Sequence, residues 1–397
     1  MLIKNMVAFV LYGSVLLSCE KFEPDTLLGE ELLDGPLESL TYAQSTQFVS
    51  GDRAFNEELF HSGNGLGPLF VATSCVSCHA GDGKGTPSTT LIRFGQTDAT
   101  GNTFLHLGGP QLQNRALPGY LPETLPDGAT FSKLTPMAVT GLGFLQYVSD
   151  ADILANADPE DMDGDGISGV PNWGVLKDYL IPSPDAITKN GMHIHRFGKK
   201  ASVHNLLEQT VNAYKQDIGI TSTFDPIDTY SGLSMDPEVS DKTIRDVVFY
   251  LETLKAPIPR NQQDQRVQNG KNTFTQIQCA SCHLPEMKTA AAPIEALSYK
   301  TFHPYTDLLL HDMGPALDDG HTEGSALTSE WRTPPLWGLG LSAGSQGGKY
   351  YLMHDGRARS IEEAILLHGG EAENSKNLYT RLERSEKNDL LKFLESL

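Results

Sequence analysis

Cys75-Val76-Ser77-Cys78-His79 and Cys279-Ala280-Ser281-Cys282-His283 are two copies of one pattern, C-x-x-C-H. Two thiols at this spacing can add across the two vinyl groups of a haem, and the His that follows reaches the iron as its proximal ligand. With five Cys and twelve His in 397 residues, two chance matches are expected on the order of once in a million chains. A zinc knuckle would need further thiol or imidazole ligands at matching spacing. A redox dithiol does not call for a His directly after its second Cys. The motifs predict two covalent haem c groups, on Cys75 and Cys78 and on Cys279 and Cys282, with His79 and His283 as axial iron ligands.

Each motif has a similar ending downstream. Thr243 to Leu254 and Asp389 to Leu397 both read as amphipathic helices, and both close on aromatic-Leu-Glu-Ser/Thr-Leu. Val267, Gly270, Phe274 and Ile277 give a helical stripe ahead of the second motif, with Gly270 placed to let another helix cross closely. A helix leading into C-x-x-C-H and a terminal helix packed across it is the plan of a cytochrome c domain. The expected fold is therefore mainly α, two tandem cytochrome c-like haem domains with long loop insertions in the first. Residues 42–256 and 266–397 are the expected domains, and 257–265, with Pro257 and Pro259, the linker. The Gly- and Pro-rich stretch Gly101–Gly128 reads as ordered loop.

At the other end, Lys4 precedes an apolar run from Met6 to Leu17 and then Ser18-Cys19. That run is the length of a secretory signal and too short for a membrane span. Leu16-Leu17-Ser18-Cys19 resembles a lipobox, so residues 1–18 are expected to be a signal peptide, Cys19 a lipid anchor and 19–41 a tether. Export suits haem c, and implies a periplasmic-side or cell-surface lipoprotein of a Gram-negative bacterium. Four haem thioethers and one lipid thioether leave no free thiol. No later segment is apolar enough to span a bilayer. The net charge of −20 argues against nucleic acid as a partner. A basic or neutral redox donor, such as a protein or a quinol-linked cytochrome, fits better.

Phe302-His303-Pro304-Tyr305-Thr306-Asp307-Leu308-Leu309-Leu310-His311-Asp312-Met313-Gly314, followed by Trp331-Arg332-Thr333-Pro334-Pro335-Leu336-Trp337-Gly338, closely resembles the bacterial di-haem oxidoreductase family. His354-Asp355-Gly356-Arg357 and His368-Gly369-Gly370-Glu371 continue the match. That family is grouped with peroxidases and sometimes with thiol oxidoreductases, and is distantly similar to di-haem cytochrome c peroxidases.

In those relatives a Met fourteen residues after the His of H-D-G ligates the electron-transfer haem. Here that position is His368, so the resemblance implies a bis-His second haem with His283 and His368. His354 and Met313 compete for the role, and Arg332 is a candidate propionate partner. The resemblance also implies a distal amide and acid at the first haem. Gln209 and Asp217 are the candidates, with Glu208 the other acid in reach. His193, His195, His204 and His106 are candidate sixth ligands to the first iron. The family usually carries Trp at the position of Lys199, where related enzymes place a relay between haems. Lys cannot carry a hole, which leaves Trp173 or Tyr214 as substitutes.

Asp161-Met162-Asp163-Gly164-Asp165-Gly166-Ile167 repeats the start of a calcium loop, with Asp161, Asp163, Asp165 and the Ile167 carbonyl as ligands to Ca²⁺. Its twelfth position is Asn172 rather than Glu, which does not support an EF-hand. The expected function is a peroxidase-like oxidoreductase, with electrons entering at the bis-His haem and passing to a reactive haem that reduces hydrogen peroxide. An oxidase of a protein or small-molecule donor and a two-haem electron carrier are the alternatives.

Overall fold

A computed structural model describes residues 33, 35–98, 101–107 and 109–397. The expected signal peptide and Cys19 lie outside the described residues. The helices are α1 (Tyr42–Asn56), α2 (Leu142–Gln146), α3 (Asp150–Leu154), α4 (Leu206–Gln216), α5 (Asp241–Thr253), α6 (Gln265–Gln276), α7 (Ser342–Ser345), α8 (Ile361–Leu366), α9 (Glu373–Arg381) and α10 (Arg384–Ser396). Helix takes 32% of the described residues and strand 13%, so regular structure there is mainly helical while loops hold the larger share. The strands form two-stranded ribbons and one three-stranded sheet. Among the described residues no helix is long and apolar enough to cross a membrane.

Two helix crossings organise the chain, and they repeat one another. Gly270 of α6 lies against α10 so closely that an added Cβ would stand 2.0 Å from the Asp389 carbonyl oxygen and 2.7 Å from Phe393 Cβ. Gly51 of α1 meets α5 identically, at 2.0 Å from the Asp246 carbonyl oxygen and 2.7 Å from Tyr250 Cβ. Four residues past each glycine, Phe274 and Phe55 pack beside His283 and His79, with ring centroids 6.4 and 5.9 Å apart. The glycine is what lets the backbones approach far enough for the aromatic rings to interlock.

The Gly270 crossing follows the sequence expectation, but α1 was not expected. Its buried residues are only Phe48, Gly51 and Phe55, too thin a stripe to stand out by periodicity. Its start is nevertheless written locally. Thr41 Oγ1 accepts the Gln44 N–H while the Thr41 N–H donates to Gln44 Oε1, a complete capping box. Asn205, Ser240 and Asp264 cap α4, α5 and α6 from one side only, each side chain accepting a first-turn backbone N–H.

The last residues of the expected tether do not hang free. The Leu37 N–H donates to the Thr253 carbonyl and the Lys255 N–H to that of Gly35, which pairs the chain entering α1 with the end of α5. One apolar core gathers Phe48, Phe55, Tyr250 and Leu251 with Met287, Phe302 and Trp337 from far along the chain. A second gathers Val267, Phe274, Tyr379, Leu390 and Phe393 around α6 and α10.

Candidate functional site

A single cavity of about 450 Å³ is lined by both C-x-x-C-H motifs, Cys75, Cys78 and His79 at one part and Cys279, Cys282 and His283 at another. All four thiols are unpaired. Burial pushes Cys75, Cys78 and Cys279 up to about 12, which keeps these thiols protonated and unlike the acidic thiol of a redox dithiol.

The two imidazoles are oriented alike. His79 Nδ1 donates to the Met137 carbonyl and His283 Nδ1 to that of Tyr305, each at 2.9 Å. Burial holds both rings at about 4, so they are neutral at physiological pH. Each therefore offers a lone pair on Nε2, the tautomer and outer hydrogen bond of a metal-bound His.

The walls around them fit a bulky, apolar group with acidic appendages. Tyr214 Oη, Thr135 Oγ1 and Thr210 Oγ1 line the cavity and are buried without a hydrogen-bond partner. Lys84, Lys199 and Arg332 also face it. Burial pushes Lys84 down to about 8, and burial with the neighbouring Lys84 and Arg332 charges pushes Lys199 down to about 7. Arg332 is 6% exposed. Its guanidinium donates to the Gly198 and Thr333 carbonyls and to Met137 Sδ. Three cations gathered against one cavity in an acidic chain suit carboxylates such as haem propionates.

Gln209 and Asp217 line the same cavity from α4 and its C-cap. Asp217 lies near the first motif: its charge raises the Cys75 and Cys78 thiols. Burial lifts the Asp217 carboxyl to about 6, and Gln111 Nε2 donates to its Oδ1. Glu208 is not among the cavity-lining residues, and its Oε2 accepts the His204 N–H at the start of α4.

At the second motif, His368 faces the cavity and its charge bears on His283. Its Nδ1 donates to the Ala364 carbonyl at 2.7 Å, which leaves Nε2 free as in the two proximal rings. Met313 also lines the cavity. So does His354, stacked on Trp331 at 3.8 Å and 9° between planes. Lys200 Nζ, held by the carbonyls of Leu327, Thr328 and Glu330, sits 3.9 Å from the Trp331 ring centroid. Of the relay substitutes, Tyr214 lines the cavity, whereas Trp173 is not among its lining residues and packs beside Lys189. Trp331 was not singled out from sequence, since its stack with His354 joins positions 23 residues apart through tertiary folding.

His311 is a second residue that sequence reasoning missed. Its Nε2 meets Asp307 Oδ2 at 2.8 Å and its Nδ1 meets Glu371 Oε2 at 2.6 Å, beside Cys282 Sγ at 3.6 Å. Although burial opposes the charge, the two carboxylates raise His311 well above its ordinary value, and Glu371 is held down to about 2. Ser168 Oγ donates to Glu371 Oε1 at 2.6 Å, which ties the acidic loop just before it to the second motif.

Two expectations need correction. His193, His195 and His204 are not cavity-lining residues, and neither is the exposed His106, so none is placed as a sixth ligand to the first iron. In the acidic loop the carboxylates that converge, within 4.8 Å of one another, are Asp158, Asp161 and Asp163. Asp165 is outside that set, and its Oδ1 accepts the Ile167 N–H at 2.8 Å.

Residues 125–397 match the model of the family described as "Di-haem oxidoreductase, putative peroxidase". No curated protein matches the sequence. Among solved structures, hydrazine synthase of Kuenenia stuttgartiensis is similar at 14% identity over 99% of each chain, with a TM-score of 0.41. A MauG-like protein associated with microbial copper homeostasis is similar at 14% identity over 95% of each chain, with a TM-score of 0.42.

Proposed function

The chain belongs to the di-haem oxidoreductase family, and we propose that it is an exported, lipid-anchored, peroxidase-like enzyme built from two tandem cytochrome c-like domains. Cys75 and Cys78 would hold one haem c and Cys279 and Cys282 the other, with His79 and His283 as proximal ligands. When bound, the haems supply electron transfer and, at an iron with an open face, reduction of the peroxide O–O bond.

The observation that carries this reading is the asymmetry of the cavity. His368 bears on His283 at the second motif, whereas Asp217 bears on Cys75 and Cys78 at the first, with Gln209 on the same helix and lining the same cavity. His368 would close the second iron and leave the first to the acid and amide. His368 Nε2 is free to ligate because Nδ1 is held by Ala364. Asp217, lifted to about 6, exchanges a proton near neutral pH, and the Gln111 hydrogen bond to Oδ1 leaves Oδ2 to carry it. Gln209 would orient a small polar substrate. Lys84, Lys199 and Arg332 neutralise the propionates. Lys199 cannot relay electrons, and Trp331 and Tyr214 are oxidisable side chains that face the same cavity.

Low-temperature electron paramagnetic resonance with optical spectra tests the function, on oxidised and half-reduced protein, before and after hydrogen peroxide. A high-spin signal from the first haem that vanishes on peroxide addition is the expected result. Two low-spin haems indifferent to peroxide in both states would make the chain an electron carrier.

The second ligand has its own test. Replacing imidazole by thioether favours reduced iron, so His368→Met is expected to raise the potential of one haem in a redox titration and leave the other unchanged. An unchanged pair of potentials would move the ligand to His354 or Met313.

A further inference from the structure

Tyr250 of α5 is fully buried, and its hydroxyl is engaged on both sides. Oη donates to Asp82 Oδ1 at 2.7 Å and accepts from Asn56 Nδ2 at 3.2 Å. Asp82 is itself buried, three residues after His79, and its backbone N–H donates to the His79 carbonyl at 3.0 Å. The Tyr250 ring centroid lies 5.6 Å from that of Phe55, which lies 5.9 Å from the His79 imidazole and lines the cavity. Two ring contacts thus separate the phenol from the proximal imidazole of the first haem site.

Packing alone does not call for that hydroxyl. At the matching crossing of α6 and α10, Phe393 takes the place of Tyr250 against the glycine. Three residues after His283 stands Glu286, which is exposed. The ring is common to both crossings, whereas the phenol and its buried acid belong to the first. Two oxidisable rings on the cavity wall, Tyr214 and Trp331, lack such a base. Tyr214 Oη has no hydrogen-bond partner. Trp331 Nε1 donates to the Leu317 carbonyl, a poor proton acceptor, and the Lys200 ammonium 3.9 Å from its ring centroid opposes positive charge there.

We propose that Tyr250 is a redox-active tyrosine of the first haem site, with Asp82 as its proton acceptor. This assignment rests on the proposed peroxidase-like function, because hydrogen peroxide is the oxidant. Peroxide takes up two electrons and two protons to become two waters, one electron coming from Tyr250 and one from the haem pair. As the Tyr250 electron leaves toward the first haem, the O–H bond breaks and the proton passes to Asp82 Oδ1. A neutral tyrosyl radical and a carboxylic acid remain. An electron from the redox donor and the proton returned by Asp82 restore the phenol.

Burial and the Asp82 charge both raise the pKa of the phenol, so the hydroxyl keeps its proton until the electron is lost. Transfer of the proton along with the electron avoids a cation in the apolar core around α1 and α5. Asp82 serves there as a positioned base. Tyr250 is not among the cavity-lining residues, so the oxidising equivalent is held off the wall that meets the substrate.

The test mixes hydrogen peroxide with the two-haem protein, freezes it rapidly and records electron paramagnetic resonance. A free-radical signal that narrows in protein carrying ring-deuterated tyrosine is expected, together with loss of the high-spin haem signal. Tyr250→Phe is expected to abolish the radical with haem count unchanged. Tyr147→Phe, which removes another hydroxyl that donates to a carboxylate, Glu252 at 3.0 Å, is expected to keep it. Asp82→Asn still accepts a hydrogen bond but takes no proton, and is expected to slow radical formation by about a hundredfold or more. High-field spectra of the wild-type radical keep the question answerable if Tyr250→Phe fails to fold. A hydrogen-bonded tyrosyl is expected there, and an unbonded one, as Tyr214 would give, overturns the assignment. Loss of the high-spin signal without a tyrosyl radical, or a radical that survives in Tyr250→Phe, overturns this assignment and leaves the peroxidase-like function standing. A high-spin signal that ignores peroxide overturns both.

Discussion

Cys75→Ser combined with Cys78→Ser is expected to halve the haem content, from two to one per chain, in a pyridine haemochrome assay. The effect is large because covalent attachment is all-or-none at each site: without thiols no thioether forms, and His79 alone would hold its haem only by reversible coordination. The thiols are well suited to this fate. They face the cavity beside a neutral imidazole, and burial holds them protonated, with no disulfide between them. The second site should survive, since Cys279, Cys282 and His283 are held by their own helix pair, α6 and α10, and their own core. The variant should also unfold at a lower temperature, because the cavity is left underfilled between Phe55, Leu145 and Val247. An unchanged haem count would remove the first site from the proposal, and loss of both haems would show that the two parts do not assemble separately.

Gly270→Ala is expected to cost about 3 kcal/mol or more, the upper end of what overpacking usually costs. The added methyl would stand 2.0 Å from the Asp389 carbonyl oxygen and 2.7 Å from Phe393 Cβ. Neither neighbour is a flexible side-chain tip, so α6 and α10 must move apart, and the Phe274–Phe393 contact at 5.5 Å loosens with them. In a domain of this size the loss corresponds to a fall in Tm of roughly 10 °C. Gly344→Ala makes the control. A Cβ there meets nothing within 4 Å, and a change within about 0.5 kcal/mol is expected. Equal thermal stability of the two variants would show that the crossing is not tight. Because Gly51 repeats the geometry of Gly270 on α1 and α5, Gly51→Ala should behave like Gly270→Ala.

The two C-x-x-C-H motifs proposed to hold the haems were legible because each is written contiguously. C-x-x-C-H needs its three reactive groups within five residues, and the two matching helix endings need only the 3.6-residue period. His368 became a candidate only through the family resemblance, which supplied the fourteen-residue spacing from His354; the structure puts both residues on the cavity wall. The helix α1 was less visible. Three buried positions, one of them glycine, make a weak stripe, although the Gly-x-x-x-Phe shared by Gly51 and Phe55 with Gly270 and Phe274 would have marked it as the counterpart of α6.

Local chemistry in the chain thus sufficed for the paired thiols, the His that follows each pair and the helices α5, α6 and α10, since each depends on neighbours a few residues away. Contacts across long stretches of chain were set by tertiary packing alone. The Asp307–His311–Glu371 cluster spans sixty-four residues, Trp331 meets His354 only when two separate segments lie face to face, and His193, His195 and His204 stay off the cavity wall although Gly198, Lys199 and Ser202 beside them line it. Side-chain direction decides these cases, and direction belongs to the packed structure: a residue's type says what it can bind, but only the fold says which cavity it faces.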